Sequence, residues 1–256
     1  MRILISQMPR LLAIVILETA FCCSVDAQWG SLKGQVILDG QIPKIPLLVE
    51  QGNSAAKDAA VCAAQDIPDE KLVMDPTTKG IANVFIYLAK KPAKVYPDLA
   101  HSKDKEVKFD QKGCRFVPHA MLVRTDQRVR VFSEDSIAHN AHTYPLKGSS
   151  ENFIVSPNDR TGVLLKPMTL MERAPINIRC DIHPWMSAYW LILDHPYAAI
   201  TDVNGNFEIA ELPVGTHEFM IWQESSGWLE KKHSVAIEKG LNEQKPLKFT
   251  AAQFLK

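Results

Sequence analysis

From Lys33 to Phe249 the chain keeps breaking its apolar runs before any is long enough to make an amphipathic helix. Lys33-Gly-Gln-Val-Ile-Leu-Asp-Gly40 reads as a strand that ends in an Asp-Gly turn. Pro43 and Pro46 hold the next stretch extended, because a proline ring fixes φ and removes a backbone donor. Ile81-Ala-Asn-Val-Phe-Ile-Tyr-Leu88 is rich in β-branched and aromatic residues, the composition of a buried strand. Short runs recur at 106–110, 128–132, 162–165, 176–180 and 188–193. The Ala-rich stretch from Ser54 to Gln65 reads as a short helix capped by Ser54 and carrying Cys62. Short strands at this spacing, almost without helix, predict an all-β chain built as sandwiches.

Beyond Asp194 the register changes. Ala198-Ala-Ile-Thr201 leads into Asp202-Val-Asn204-Gly205, and the Asn-Gly pair predicts a hairpin between the strands on either side. Asp202, Asn204 and Gly205 are turn residues and not half a calcium loop, since no ligand series continues to a Glu at the twelfth position. Leu212-Pro-Val-Gly215 is a second turn. His217–Trp222, Ser234–Ile237 and Pro246–Phe249 close the chain as strands.

Lys and Arg together number 29, as do Asp and Glu, so the chain lacks the basic excess a nucleic-acid binder needs. Arg2 and Arg10, the apolar run Leu11–Leu17 and the small-residue site Val25-Asp-Ala27 are laid out as a secretory signal peptide over residues 1–27, cleaved near Ala27. The run is interrupted by Glu18 and falls far below the roughly 20 residues that span a bilayer. The expectation is a periplasmic or secreted protein with no membrane span after cleavage.

The chemistry concentrates in Cys180-Asp-Ile-His183-Pro-Trp-Met186. A thiol, an imidazole and a thioether stand at i, i+3 and i+6. These are the soft and borderline ligands that copper prefers, and a second imidazole would complete a trigonal two-His, one-Cys set with a weak axial Met. His139, followed by Asn140, is the candidate for it. Zinc also suits a Cys and two His, but thioether is a poor zinc ligand, which tilts the choice to copper. His119 and His142 stay open between electron-entry residues, additional ligands, a second metal site and hydrogen-bonded surface histidines. His195, His217 and His233 have no partner motif and read as structural or exposed.

Cys-x2-His-x2-Met behind an upstream His-Asn resembles the mononuclear type 1 copper proteins, the cupredoxins, and among them those of amicyanin type. The resemblance implies one type 1 copper held by His139, Cys180, His183 and Met186. It also implies that Trp185 shields the site, that Asn140 pins the two ligand loops together, and that Pro184 stiffens the turn. The tail resembles a carboxypeptidase-regulatory-like β-sandwich through Thr201-Asp202, Gly205, Phe207, Leu212-Pro213 and Gly215. Gly34-Gln-Val36 and Ala82-Asn-Val-Phe-Ile86 look like that family's opening strands. Together these predict an insertion: residues 28–95 and 195–256 form one regulatory-like sandwich around a cupredoxin-like Greek-key copper domain at 96–194. The whole is similar to exported bacterial cupredoxin-like proteins labelled for methylamine utilisation. The implied function is one-electron transfer between redox protein partners, without enzymatic activity. No His-x-His pair exists for a trinuclear cluster, and the ligand loop has one Cys where a binuclear centre needs two. The alternatives are copper storage, delivery or sensing, and carbohydrate or protein binding by the host sandwich.

Five cysteines are present. Cys22 and Cys23 leave with the signal and Cys180 is the proposed ligand, so Cys62 and Cys114 remain. They form either a disulfide or two buried thiols, and export favours the bridge.

Overall fold

The computed structural model describes residues 29–255. The signal peptide expected at 1–27 lies outside the described residues, and so do Cys22 and Cys23. Among the described residues no helix is long and apolar enough to cross a membrane.

The fold is all-β, as expected, and strands from both ends of the chain share sheets. Trp29–Asp39 pairs with Asn206–Pro213 on one side, and with Gly240–Glu243 and Leu247–Thr250 on the other. Phe85–Leu88 lies between Ala198–Ile200 and Gly215–Gln223, whose hairpin partner Gly227–Ile237 forms the edge. Apolar side chains of these two sheets, among them Leu32, Val36, Ile86, Phe207, Ile209, Phe219 and Ile221, make one core.

A second pair of sheets is built from the middle of the chain. The larger runs Asn152–Val155, His139–Tyr144, Ile176–Arg179, Ser187–Leu193, Ala120–Arg124. The smaller runs Val163–Leu164, Arg128–Val131, Glu106–Gln111, Phe116–Val117. Their shared core centres on aromatic packing: Phe109 stacks on Phe116 at 5.0 Å and meets Trp190 edge-on at 4.7 Å. Edge-to-face and offset pairs of this kind add to simple burial.

Phe85–Leu88 explains its own sequence. All four residues are buried, because successive side chains face opposite ways into two apolar layers. Ile86 and Leu88 enter the first core, while Phe85 and Tyr87 pack with Leu191, Leu193 and Trp222 where the two sandwiches meet.

Three expectations change. The Asn204-Gly205 turn forms, but its flanking strands lie in different sheets and do not pair as a hairpin. The turn's backbone is engaged elsewhere: Gly205 O accepts from Val36 N at 2.8 Å, and Asn204 O accepts from the Gln35 side chain at 2.9 Å. Gly205 has φ +78°, and a Cβ there would meet the Val36 carbonyl oxygen, so the turn docks on the first strand because it has no side chain. The short helix covers only Ala59–Cys62, and Asp58 rather than Ser54 stands at its N-cap position. Finally, part of the segment 28–95 leaves the sheets it precedes. Val49, Cys62, Ala63 and Ile67 are buried in the core of the middle sandwich, beside Phe109, Cys180 and Met186.

His195 is fully buried and structural. Its Nε2–H donates to the Leu88 carbonyl at 3.1 Å, and its Nδ1 accepts from the Tyr197 N–H at 3.2 Å. The neutral ring is thus fully used, and a proton on Nδ1 would set N–H against N–H. Burial lowers its pKa from 6.5 to about 4. The unfolded chain therefore takes the proton first, so this residue's contribution is intact above pH 6.5 and lost as pH falls towards 4. The difference corresponds to about 3 kcal/mol. Urea unfolding should show a loss of that order across the window, and His195→Gln should flatten it. An unchanged acid slope in the variant would show that other groups dominate.

Candidate metal centre

The antiparallel pair Ile176–Arg179 and Ser187–Leu193 is closed by residues 180–186. Two backbone bonds tighten this turn: Met186 N donates to His183 O at 2.9 Å, and Cys180 N donates to Met186 O at 3.2 Å. The turn folds Cys180, His183 and Met186 inward, at 2%, 0% and 1% exposure. His139 opens the neighbouring strand, which pairs with Ile176–Arg179 through Arg179 and His142. It is also fully buried. The sheet therefore brings His139 to the turn that holds the other three.

His139 Nδ1 and His183 Nδ1 are 2.9 Å apart, and Cys180 Sγ is 3.8 Å from His183 Nδ1. A donor atom from each of the three residues lies within 4.8 Å of the other two. The outer nitrogens are both taken by carboxylates. His139 Nε2 meets Asp135 Oδ2 at 2.8 Å, and His183 Nε2 meets Asp58 Oδ2 at 3.0 Å. A carboxylate accepts, so each Nε2 carries the proton and each Nδ1 presents a lone pair to the sulfur. Two nitrogen lone pairs and a sulfur converging in a buried space repel one another unless a cation lies among them.

A proton or a metal ion meets that demand, and the titration of the groups reflects it. Burial works against charging the His139 ring, yet Asp135 and Cys180 outweigh it and raise its pKa to about 9. Burial likewise opposes the Cys180 thiolate, yet the His139 and His183 rings that face it bring its pKa down to about 6. Asp135 sits below the usual carboxylate range despite burial, because it accepts from His139 and from the N–H groups of Cys114 and Gly113.

The spacing fits a small ion. Bonds of about 2.3 Å to sulfur and 2.0 Å to nitrogen, meeting at trigonal to tetrahedral angles, separate S from N by roughly 3.5–3.8 Å. The same geometry needs about 3.3 Å between the nitrogens, so the rings must part slightly. A second cluster of Cys114, Asp135 and His139 also falls within reach, but the Cys114 sulfur is bonded to Cys62.

The remaining predicted residues fall around this group. Asn140 joins the two ligand loops: its Oδ1 accepts from Asp181 N at 2.7 Å, and its amide donates to Asp181 Oδ2 and Asn152 Oδ1. Trp185 lies 5.3 Å from the His183 ring and donates from Nε1 to Cys114 O. Pro184 is on the solvent side of the turn. His142 and His119 are outside the donor cluster. His142 Nδ1 bonds to Asp181 Oδ2 and the Tyr144 hydroxyl on the outer face of the sheet. His119 Nε2 pairs with Glu224 at 2.6 Å, a contact between the sandwiches. The disulfide Cys62–Cys114 is formed.

Sequence reasoning missed both carboxylates. Asp135 had a local signal, lying four residues before His139 on the same loop. Asp58 had none, being 125 residues from its partner.

Among solved structures, a reduced amicyanin variant is similar to part of the chain, with TM-score 0.30 and 16% identity over 36% of this chain and 87% of its own. A copper-containing nitrite reductase from Thermus scotoductus aligns with TM-score 0.28 and 20% identity, over 34% of this chain and 22% of its own. A purple cupredoxin from Nitrosopumilus maritimus aligns with TM-score 0.27 and 14% identity, over 33% and 97%. No protein-family model matches the sequence, and no curated protein matches it. The case for a metal therefore rests on the donors.

Proposed function

We propose that this chain is an exported type 1 copper protein that carries single electrons between redox protein partners and has no enzymatic activity of its own. The observation that carries this reading is the convergence of two imidazole Nδ1 atoms and a thiol sulfur, all buried and beside buried Met186. That donor set suits copper in both oxidation states, and copper supplies the one-electron couple.

The chain's own residues do the rest. Asp135 and Asp58 hold the Nε2 protons, so neither ring can turn its ligating nitrogen away. Cys180 is set up as a thiolate by the histidines that face it. Asn140 fixes the spacing of the two loops. A ligand frame held this way changes little when one charge is added or removed, as an electron carrier requires.

The test is a Cu(II) titration of the chain beginning at Gln28. One equivalent should produce an intense visible thiolate-to-copper band that bleaches on one-electron reduction and returns on oxidation. A coloured complex that loses copper to a chelator within the mixing time would favour storage or delivery. No band at any ratio would overturn the copper reading.

A further inference from the structure

The loop that carries Asp58 belongs, by its place in the chain, to neither strand of the metal hairpin. It leaves after Leu47–Val49 and returns through Ile67–Pro68, and those two segments pair with each other as a neck. Within it Gly52 N donates to Ala63 O, and Gln51 N donates to the Asp66 carboxylate. Its apolar side chains are committed to the middle sandwich: Cys62 and Ala63 are buried in that core, and Ala56, Ala59 and Val61 pack against it.

Asp58 sits at the turn of this loop with φ 52° and ψ 44°, a left-handed conformation that Asp tolerates better than most residues. There its carboxylate meets His183 Nε2 at 3.0 Å. The His183 side chain is 0% exposed, whereas Asp58 is 33% exposed. The carboxylate therefore stands between the ring edge and solvent.

The far end of the loop is fastened to the other ligand. Cys62 is bonded to Cys114, whose N–H donates to Asp135, the carboxylate on His139. Cys114 O also accepts from Trp185, two residues after His183. One covalent link thus ties the cover of one imidazole to the support of the other.

Resting on the copper reading above, we infer that residues 50–66 are a latch over the metal centre, with Asp58 as the positioning residue that holds His183 in place and closes its edge to chelators and redox partners. Electrons then enter and leave by a path other than direct contact with the His183 ring.

The test uses Asp58→Gly, which removes the carboxylate and suits the left-handed backbone, and Asp58→Asn, which keeps a side-chain oxygen acceptor. In the metal-free chain, diethylpyrocarbonate labelling read by mass spectrometry should leave His183 protected in the wild type while His101, 87% exposed, reacts. Asp58→Gly should bring His183 labelling towards that of His101. In the copper-loaded chain, release to a Cu(I) chelator should be about 10–100-fold faster in Asp58→Gly, the range typical of lost partners behind a metal-bound histidine. Asp58→Asn should recover most of the wild-type rate. Wild-type labelling and wild-type release in Asp58→Gly would overturn the latch. If the wild type forms no thiolate–copper band, the copper reading fails, and labelling of the metal-free chain still decides whether Asp58 covers the ring.

Discussion

Cys180→Ser is expected to abolish the visible charge-transfer band and to weaken copper binding by more than 100-fold. The substitution is nearly isosteric at a position 2% exposed, so it tests the donor and not the packing. The thiol is already drawn towards its anion, with a pKa near 6, because His139 and His183 point at it against the cost of burial. A serine hydroxyl stays protonated and offers a hard neutral oxygen where the site supplies two nitrogens and a soft sulfur. Loss of a partner behind a ligand commonly costs about 10–100-fold, and loss of the ligand itself should exceed that. The metal-free variant offers an independent check. Burial lowers the His139 pKa, and Asp135 and Cys180 raise it to about 9. Removing the sulfur should bring the His139 titration down, as NMR of the ring protons would record. A variant that keeps the band would require another sulfur as ligand. A variant whose His139 titrates unchanged would mean that Asp135 alone sets the shift.

What was legible in the sequence follows the distance over which each contact acts. Cys180, His183 and Met186 could be grouped because one hairpin turn carries all three, and spacing along a turn is local. His139 could be named because the ligand chemistry left one imidazole missing and a His-Asn pair offered it. Asp135 was within reach of the same reasoning, four residues before His139. Asp58 was not, because nothing in an Ala-rich surface loop indicates which distant ring its carboxylate will meet. Strands showed the same division. Phe85–Leu88 announced itself by unbroken apolar residues, since both faces are covered. Gly227–Ile237 is legible only from Ser234, because Glu230, Lys231 and Lys232 lie on a sheet edge and show no apolar stripe. At Asn204-Gly205 the turn was legible and its use was not: turn residues set a local bend, while the docking of Gly205 on Val36 sends the next strand to another sheet.

Replacing both Cys62 and Cys114 with Ala should lower stability by about 4 kcal/mol, from the loop-closure entropy of a 52-residue link. Alanine is the right substitute. Both cysteines are fully buried, and serine would add unpaired hydroxyls at roughly 1–3 kcal/mol each. Urea unfolding should show a lower midpoint and a steeper slope, because the unfolded chain without the cross-link expands and exposes more surface. The effect on the metal centre should be of a different kind. Cys114 N and O hold Asp135 and Trp185 through the backbone, which alanine retains, so the donor cluster and its spectrum should survive in conditions where the variant is folded. The latch loses its covalent anchor, so copper release should quicken while the band stays in place. A band that shifts together with the midpoint would mean that the bridge shapes the ligand set itself. A midpoint that barely moves would mean that burial of Val49, Ala63 and Ile67 already holds the loop, and that the bridge adds little to what those side chains provide.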